Sequence, residues 1–385
     1  MSFLAVWTGD IMTEIPNGYE LIVFILNFIG IYEPINNVFE SFGLEYLLRI
    51  IIVVVEIGVL FVFILLTVMF LTWMERKVVA MVQARYGPMV TGPRGLLQPV
   101  MDGVKLIGKE DIIPAKADRW VFTLAPFLIF IPALLVFIPL PFGPSLIISD
   151  LNVGLLYIIA ISAISPIAIL MAGWASNNKY SLMGAIRAVA QDISYTIPLA
   201  LSAIAVVLLT GSLSTVDIVT AQSGTWFGFI PKWFIFLQPL GFILFLIASI
   251  AEMGRIPFDF QESESELVAG FFTEYSGMKF AMFFLAEYAH LFSVSAIVVT
   301  LFLGGWSVPF INFLPAGLAV LVPIISLGAF LIKTYAIIFF AMWLRDTVPR
   351  MRIDQLLNIG WKIMIPLALL NLLATAILLT AGVFK

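Results

Sequence analysis

Between Ala251 and Ser276 the chain reads AEMGRIPFDFQESESELVAGFFTEYS. Glu252, Asp259, Glu262, Glu264, Glu266 and Glu274 crowd this stretch, and Arg255 is the only base among them. Carboxylates held close together raise one another's pKa, and burial raises it further. Such a group takes up and releases protons near neutral pH and titrates as a set rather than site by site. A solvated acidic loop is the plainer reading of the same residues, because connections are where charge usually sits. Pro257 bars a regular helix through the start of the stretch and pushes Ile256 toward extended backbone.

Further polar residues stand inside long apolar runs. Glu287 and His290 are three apart and so share a helix face. Arg187 opens a run that also carries Gln191, Asp192 and Tyr195, and Asp192 is placed either to favour the helix dipole or to pair with Arg187. Lys333 lies near the middle of another run and Glu56 within the first. Ionisable residues at such depth are costly alone and are functional candidates by default, and a buried lysine and a buried glutamate are expected to be paired. His290 is expected to be a hydrogen-bonding interior residue rather than a ligand. Glu56 is expected to donate a helix-packing hydrogen bond when protonated.

These residues are carried by a chain that is 62% hydrophobic and 11% charged over 385 residues, with mean hydropathy +1.09. That composition predicts an all-α, polytopic membrane protein. Eight runs are long enough to cross: 46–73, 120–140, 153–174, 188–209, 236–253, 278–304, 318–343 and 361–382. Each satisfies its backbone only as a helix. Residues 1–45 form an acidic N-terminal extension in which Leu21–Tyr32 is apolar but too short to span, a short extra helix at the interface. The start of the chain lacks the basic lead of a cleaved signal peptide. The zero cysteines and single histidine exclude disulfides, thiolate or His-rich metal sites and cysteine-held iron–sulfur clusters within the chain. Any redox centre belongs to a partner, and nothing in the charge pattern points to nucleic acid.

The eight-helix domain, 46–385, leaves connections at 74–119, 175–187, 254–277 and 344–360 that share a side. The first holds Arg76, Lys77, Arg85, Arg94, Lys105, Lys109, Lys116 and Arg119, and the last Arg345, Arg350 and Arg352, whereas the opposite side has Lys232 and Lys385. The bias puts these four connections inside and both termini outside. Gly87-Pro88, Gly92-Pro93 and Gln98-Pro99 break the first connection into turns around a short amphipathic helix over Leu97–Leu106. Mixed charge on Gly-Pro turns suits docking of a large soluble partner; a basic loop lying on anionic lipid is the alternative. Neither paired broken helices nor repeated halves are visible, which counts against an independent secondary transporter.

The segments GRIPFDF, ESELVAGFFTEYSGMKFA and AEY resemble the H subunit of proton-translocating NADH:quinone oxidoreductase, respiratory complex I, whose mitochondrial homologue is NADH dehydrogenase subunit 1. SNNKYSL, IRAVAQ and WLRDTVPRMRIDQL carry the same resemblance, which runs from about Trp73 to Leu372. It implies a membrane subunit at the junction with the peripheral arm, in a bacterial cell membrane. Partners would be the iron–sulfur and quinone-site subunits of that arm, small and antiporter-like membrane subunits, and lipid. The substrate would be a quinone (ubiquinone, menaquinone or plastoquinone), with no cofactor or metal held by this chain. Glu75, Arg76, Arg85, Gln98, Asp102, Lys105, Arg255, Asp259, Glu262, Glu264 and Glu266 would form the quinone chamber and its entrance. Glu252, Glu262, Glu274, Glu287, Asp192, Arg187 and Lys333 would couple reduction to proton movement. A membrane-bound hydrogenase or another dehydrogenase complex using the same subunit type is the nearest rival.

Two positions depart from the family pattern. The family ends its fourth-span motif Ser-Tyr-Glu, whereas this chain has Ser194-Tyr195-Thr196, and Asp192 stands one helical turn earlier. Either Asp192 replaces the missing carboxylate or the site has drifted. His290 stands where the family more often has asparagine.

Overall fold

The structure, a computed structural model, describes residues 45–144, 146–226, 230–260, 264–308 and 322–382. The N-terminal extension and Glu262 lie outside the described residues. In chain order the helices are α1 (Glu45–Val82), α2 (Gln98–Ile107), α3 (Arg119–Leu135), α4 (Gly154–Ser162), α5 (Ser165–Ala175), α6 (Lys179–Thr210) and α7 (Thr215–Ala221). Then come α8 (Phe234–Leu237), α9 (Pro239–Glu252), α10 (Glu264–Leu267), α11 (Gly277–Phe302), α12 (Val322–Thr347), α13 (Ile353–Asn358) and α14 (Ile365–Thr380). A π-helical turn, Ile359–Met364, joins the last two.

Among the described residues six helical stretches are long and apolar enough to cross a membrane, and two shorter apolar helices, α3 and α9, accompany them. The protein is an all-α polytopic membrane protein. The only strands among the described residues are the two-residue pair Thr225–Trp226 and Ile230–Pro231, antiparallel, in the connection before α8.

Several boundaries move from their expected places for reasons of backbone chemistry. α1 does not stop at Trp73 but runs to Val82, because Met-Glu-Arg-Lys-Val-Val-Ala contains no helix breaker and charge alone does not end a helix. The connection expected over 175–187 shrinks to Ser176–Asn178. Asn178 caps α6 by accepting a 3.0 Å hydrogen bond from the Tyr180 N–H, so Arg187 sits two turns inside a helix rather than at its start. The third span is not one rod: it divides into α4 and α5 around Ala163 and Ile164, just before Pro166. Proline removes a donor and crowds the preceding turn.

α11 is the central helix. Of its apolar window 72% is buried, against 22% for α1 and 22% for the last span, Ile353–Thr380. It packs on α3, α12 and α1, while α6 packs on α5, α9 and α14. A smaller apolar cluster holds Phe122, Ala185, Ala188, Phe271, Tyr275 and Phe283. There Tyr275 stacks on Phe122 at 4.0 Å and donates from its hydroxyl to the Phe122 carbonyl at 3.2 Å.

Candidate functional site

Two polar assemblies meet on α11. The first lies where α1, the connection after α9, α11 and α12 converge. Glu75, buried on α1, accepts from Arg255 Nη1 at 2.9 Å, from Arg345 Nη1, and from the Tyr288 hydroxyl. Arg255 Nη2 reaches Glu287 Oε1 at 2.8 Å, and its guanidinium lies 4.7 Å from the centre of the Tyr288 ring. Arg255 is only 6% exposed. A planar guanidinium is suited to this task, since its fork serves two carboxylates at once while its face rests on an aromatic ring. Pairing of this kind is what allows Glu75 and Arg255 to be buried, with Glu287 and Arg345 half-buried beside them.

The second assembly is a cleft between α5, α6, α9 and α11, with Asp192, Thr196, Glu252, Glu287 and His290 in its wall. Asp192 is 5% exposed, and its Oδ1 takes no hydrogen bond among the described residues. Glu252 is close enough to Asp192 to repel it. The Ser162 hydroxyl, which donates to the Ile159 carbonyl at 3.1 Å, also reaches the Glu252 carboxyl. The break between α4 and α5 is therefore at the cleft: non-helical backbone at membrane depth occurs where it lines a cavity. Glu287 belongs to both assemblies, so Arg255 holds one carboxylate facing α1 and one facing the cleft.

Three of the described carboxylates of the acidic stretch are held by partners elsewhere in the chain. Asp259 accepts from Arg350 at 3.1 Å, Glu266 pairs with Arg187, and Glu274 accepts from Asn178 Nδ2 at 2.7 Å. Arg187 is thus spent on Glu266 rather than on Asp192, and Arg255 on Glu75 and Glu287. Of Glu264 the structure gives the backbone, in α10. The inner wall is tied further by Lys279 to Asp111 at 2.9 Å and by Ser276 Oγ to the Glu110 carbonyl at 3.1 Å. Burial pushes the Tyr275 phenol up from its ordinary range.

At the connection between α1 and α3, Arg76 pairs with Asp102 at 2.7 Å, and Gln98 Nε2 donates to Asp102 Oδ1 at 3.2 Å, which pins α2 to the end of α1. Lys105 is exposed on α2, and the exposed Arg85 donates to Gln83 at 2.7 Å, away from the buried pairs.

A family model described as NADH dehydrogenase matches residues 55–376. The chain belongs to the NADH dehydrogenase family. It is similar to two proteins named as the H subunit of NADH-quinone oxidoreductase, from Dehalococcoides mccartyi strain CBDB1 and strain ATCC BAA-2266 / KCTC 15142 / 195. Each is 49% identical over 322 residues, covering 84% of this chain and 85% of the relative. The family match begins within the first span, earlier than the motifs at Trp73 suggested, and takes in Glu56.

Within this member of the NADH dehydrogenase family, sequence reading found Glu75, Arg255, Glu287, Glu252 and Asp192 but not who holds whom. Tyr288, Arg345 and Ser162 were missed as site residues. Tyr288 was in view inside AEY, and Ser162 stands four residues before Pro166, a signal of the break that exposes it. Lys333 departs from its expected pairing with a buried glutamate. Its ammonium donates to the carbonyls of Leu303, Gly305 and Ser307 at 2.8, 3.0 and 2.8 Å and lies 4.5 Å from the Trp233 ring. Leu303 is sixteen residues beyond Glu287, about 24 Å along the helix axis. Lys333 therefore caps the far end of α11, remote from the cleft.

Proposed function

We propose that this chain is the membrane subunit of a proton-translocating NADH:quinone oxidoreductase at the junction with the peripheral arm. It lends one wall to a quinone chamber and passes the effect of quinone reduction into the membrane. The observation that carries this reading is Arg255, bonded at once to Glu75 and to Glu287. The quinone headgroup sits inside of Glu75 and Arg345, under subunits of the peripheral arm. The proposed wall includes Arg76, Arg85, Gln98, Asp102 and Lys105 of the first connection and Asp259, Glu262, Glu264 and Glu266 of the acidic stretch. The apolar tail lies between helices. Electrons come from an iron–sulfur centre of a partner. Reduction of the quinone consumes two electrons and two protons, and charge appearing beside Glu75 alters the competition of the two carboxylates for Arg255. A Glu287 released from Arg255 takes up a proton, and one held more tightly gives it up. Asp192 and Glu252 face Glu287 across the cleft and receive that change, before antiporter-like neighbours. Glu274 and Arg187 hold the acidic stretch to α6 in this reading, and Lys333 anchors α11.

Asp192 and Thr196 line the same cleft one turn apart, which supports Asp192 as the stand-in for the family's glutamate. The test is proton pumping by the complex in vesicles, followed with quinone reduction. Asp192→Asn is expected to assemble but to move fewer protons per electron. Asp192→Thr with Thr196→Glu returns the carboxylate about 6 Å along the same face and is expected to recover much of the loss. Pumping by Asp192→Asn at the wild-type ratio would reject the cleft as the coupling site.

A further inference from the structure

The cleft does not end at His290. A second, narrower cavity continues beyond it, and the two share Ser162, Glu252 and His290 in their walls. Apart from those three and Ser293, the second cavity is apolar, lined by residues such as Leu155, Ile158, Leu199, Phe245 and Ile297. Leu155 begins α4, Leu199 lies in the second half of α6 and Ile297 near the end of α11. The second cavity therefore extends away from the inside face. His290 stands at the junction, on the same face of α11 as Glu287 and about 4.5 Å further along the axis. Among the described residues its imidazole makes no hydrogen bond. Its backbone carbonyl alone is used, by Ser293 Oγ at 3.0 Å. A packed structural histidine would be expected to spend at least one ring nitrogen on a neighbour; this one presents its ring to the cavities.

We propose that His290 is a further proton carrier of this subunit, linking Glu287 to Glu252 at the junction of the two cavities. The assignment rests on the cleft being the coupling site. The step moves one proton and breaks no other bond. The Glu287 carboxylic acid gives its proton to the free nitrogen of the neutral imidazole, leaving carboxylate and imidazolium. The imidazolium gives the proton on its other nitrogen to the Glu252 carboxylate. Both transfers run directly or over cavity water, for which the carboxyls, Ser162 and Thr196 supply the polar partners it requires. The charged and titratable groups facing His290 are Glu287 on its own helix, Glu252 from α9 and Asp192 from α6. Arg255 stands behind Glu287. An asparagine at this place would hold the same water but could not carry the charge, so this chain has a protonic link that an asparagine leaves to water.

The experiment uses the intact complex in membranes, with His290→Asn and His290→Gln. NADH oxidation by an artificial acceptor gives the amount of assembled enzyme. The readout is quinone reduction per assembled complex in H₂O and in D₂O. The expected result is a severalfold slower rate with a larger solvent isotope effect in both variants, because transfer over water becomes limiting. An unchanged rate overturns the assignment. So does a slower rate with an unchanged isotope effect, which marks a packing role, and if one variant fails to assemble the other decides. Asp192→Asn in parallel separates the two levels: if it too behaves as wild type, the cleft reading itself falls, and if it alone changes, only His290 is withdrawn.

Discussion

A guanidinium that serves two carboxylates at once cannot be replaced by an ammonium, and this makes Arg255 the residue on which the site turns. Removing it outright leaves the buried Glu75 and the half-buried Glu287 with Arg345 as the nearest cation. Breaking a buried pair costs about 3–5 kcal/mol, so Arg255→Ala is expected to lower the abundance of the complex itself. Arg255→Lys is more informative. Lysine keeps the charge but reaches one carboxylate at a time, forfeiting a charge-assisted hydrogen bond of about 1.5–3 kcal/mol. The complex is expected to assemble while quinone reduction falls roughly tenfold, since about 1.4 kcal/mol is a factor of ten. Reductase rate against complex abundance checks this, and equal loss of both would make Arg255 merely structural. At this scale the sequence named Arg255, Glu75 and Glu287 and was silent about their pairing. Arg255 reads as the base among six acids because they are its neighbours in the chain. Its partners lie 180 residues back, at Glu75, and 32 residues on, at Glu287.

Among the elements, the contact of α6 with the acidic stretch positions both assemblies. Gly184 on α6 faces Gly270, and a Cβ built at Gly184 would meet the Gly270 Cα at 2.9 Å and its carbonyl carbon at 3.1 Å. The obstacle is backbone, which does not step aside as a side chain would. Gly270 is itself held at φ 56°, the left-handed region where a side chain is strained. Gly184→Val should therefore push the acidic stretch off α6, loosening Arg187–Glu266 and Asn178–Glu274, at a cost of about 1–3 kcal/mol as for other overpacked sites. The expected outcome is a complex that inserts but reduces quinone poorly and is cleaved faster within the stretch by protease. Unchanged cleavage and activity would show that the stretch tolerates displacement. The spans themselves were legible because lipid leaves the chain few options: apolar runs must be helices. Where helices end, and that the third span breaks, was less legible. Hydropathy integrates over a window and passes smoothly across Ser165-Pro166. The close approach of α6 was invisible, since Gly184 and Gly270 are each unremarkable until the fold presses them together.

For the molecule as a whole, the charge bias and the broken third span together make a prediction about sidedness. Lys109, exposed after α2, and Lys232, exposed before α8, are separated by α3, by the α4–α5 pair and by α6. If each of these crosses, three crossings lie between the two lysines and they face opposite sides. If the break at Ala163–Ile164 instead turned α4 and α5 into a re-entrant hairpin, the number would be two and the lysines would share a side. The combined length favours crossing: Gly154–Ala175 is 22 residues, about 33 Å of helix against an apolar core of about 30 Å. The chain contains no cysteine, so a single introduced thiol reports without background. Lys232→Cys is expected to react with a membrane-impermeant maleimide on intact cells. Lys109→Cys is expected to react only in inside-out vesicles stripped of peripheral subunits. Labelling of both from one side would refute the eight-span path, and labelling with the sides exchanged would keep the path but invert the membrane. In the inverted case the connections tied by Arg76–Asp102, Arg255–Glu75, Arg350–Asp259 and Lys279–Asp111 would face away from any cytoplasmic electron donor, and the quinone-chamber reading would fail with the orientation.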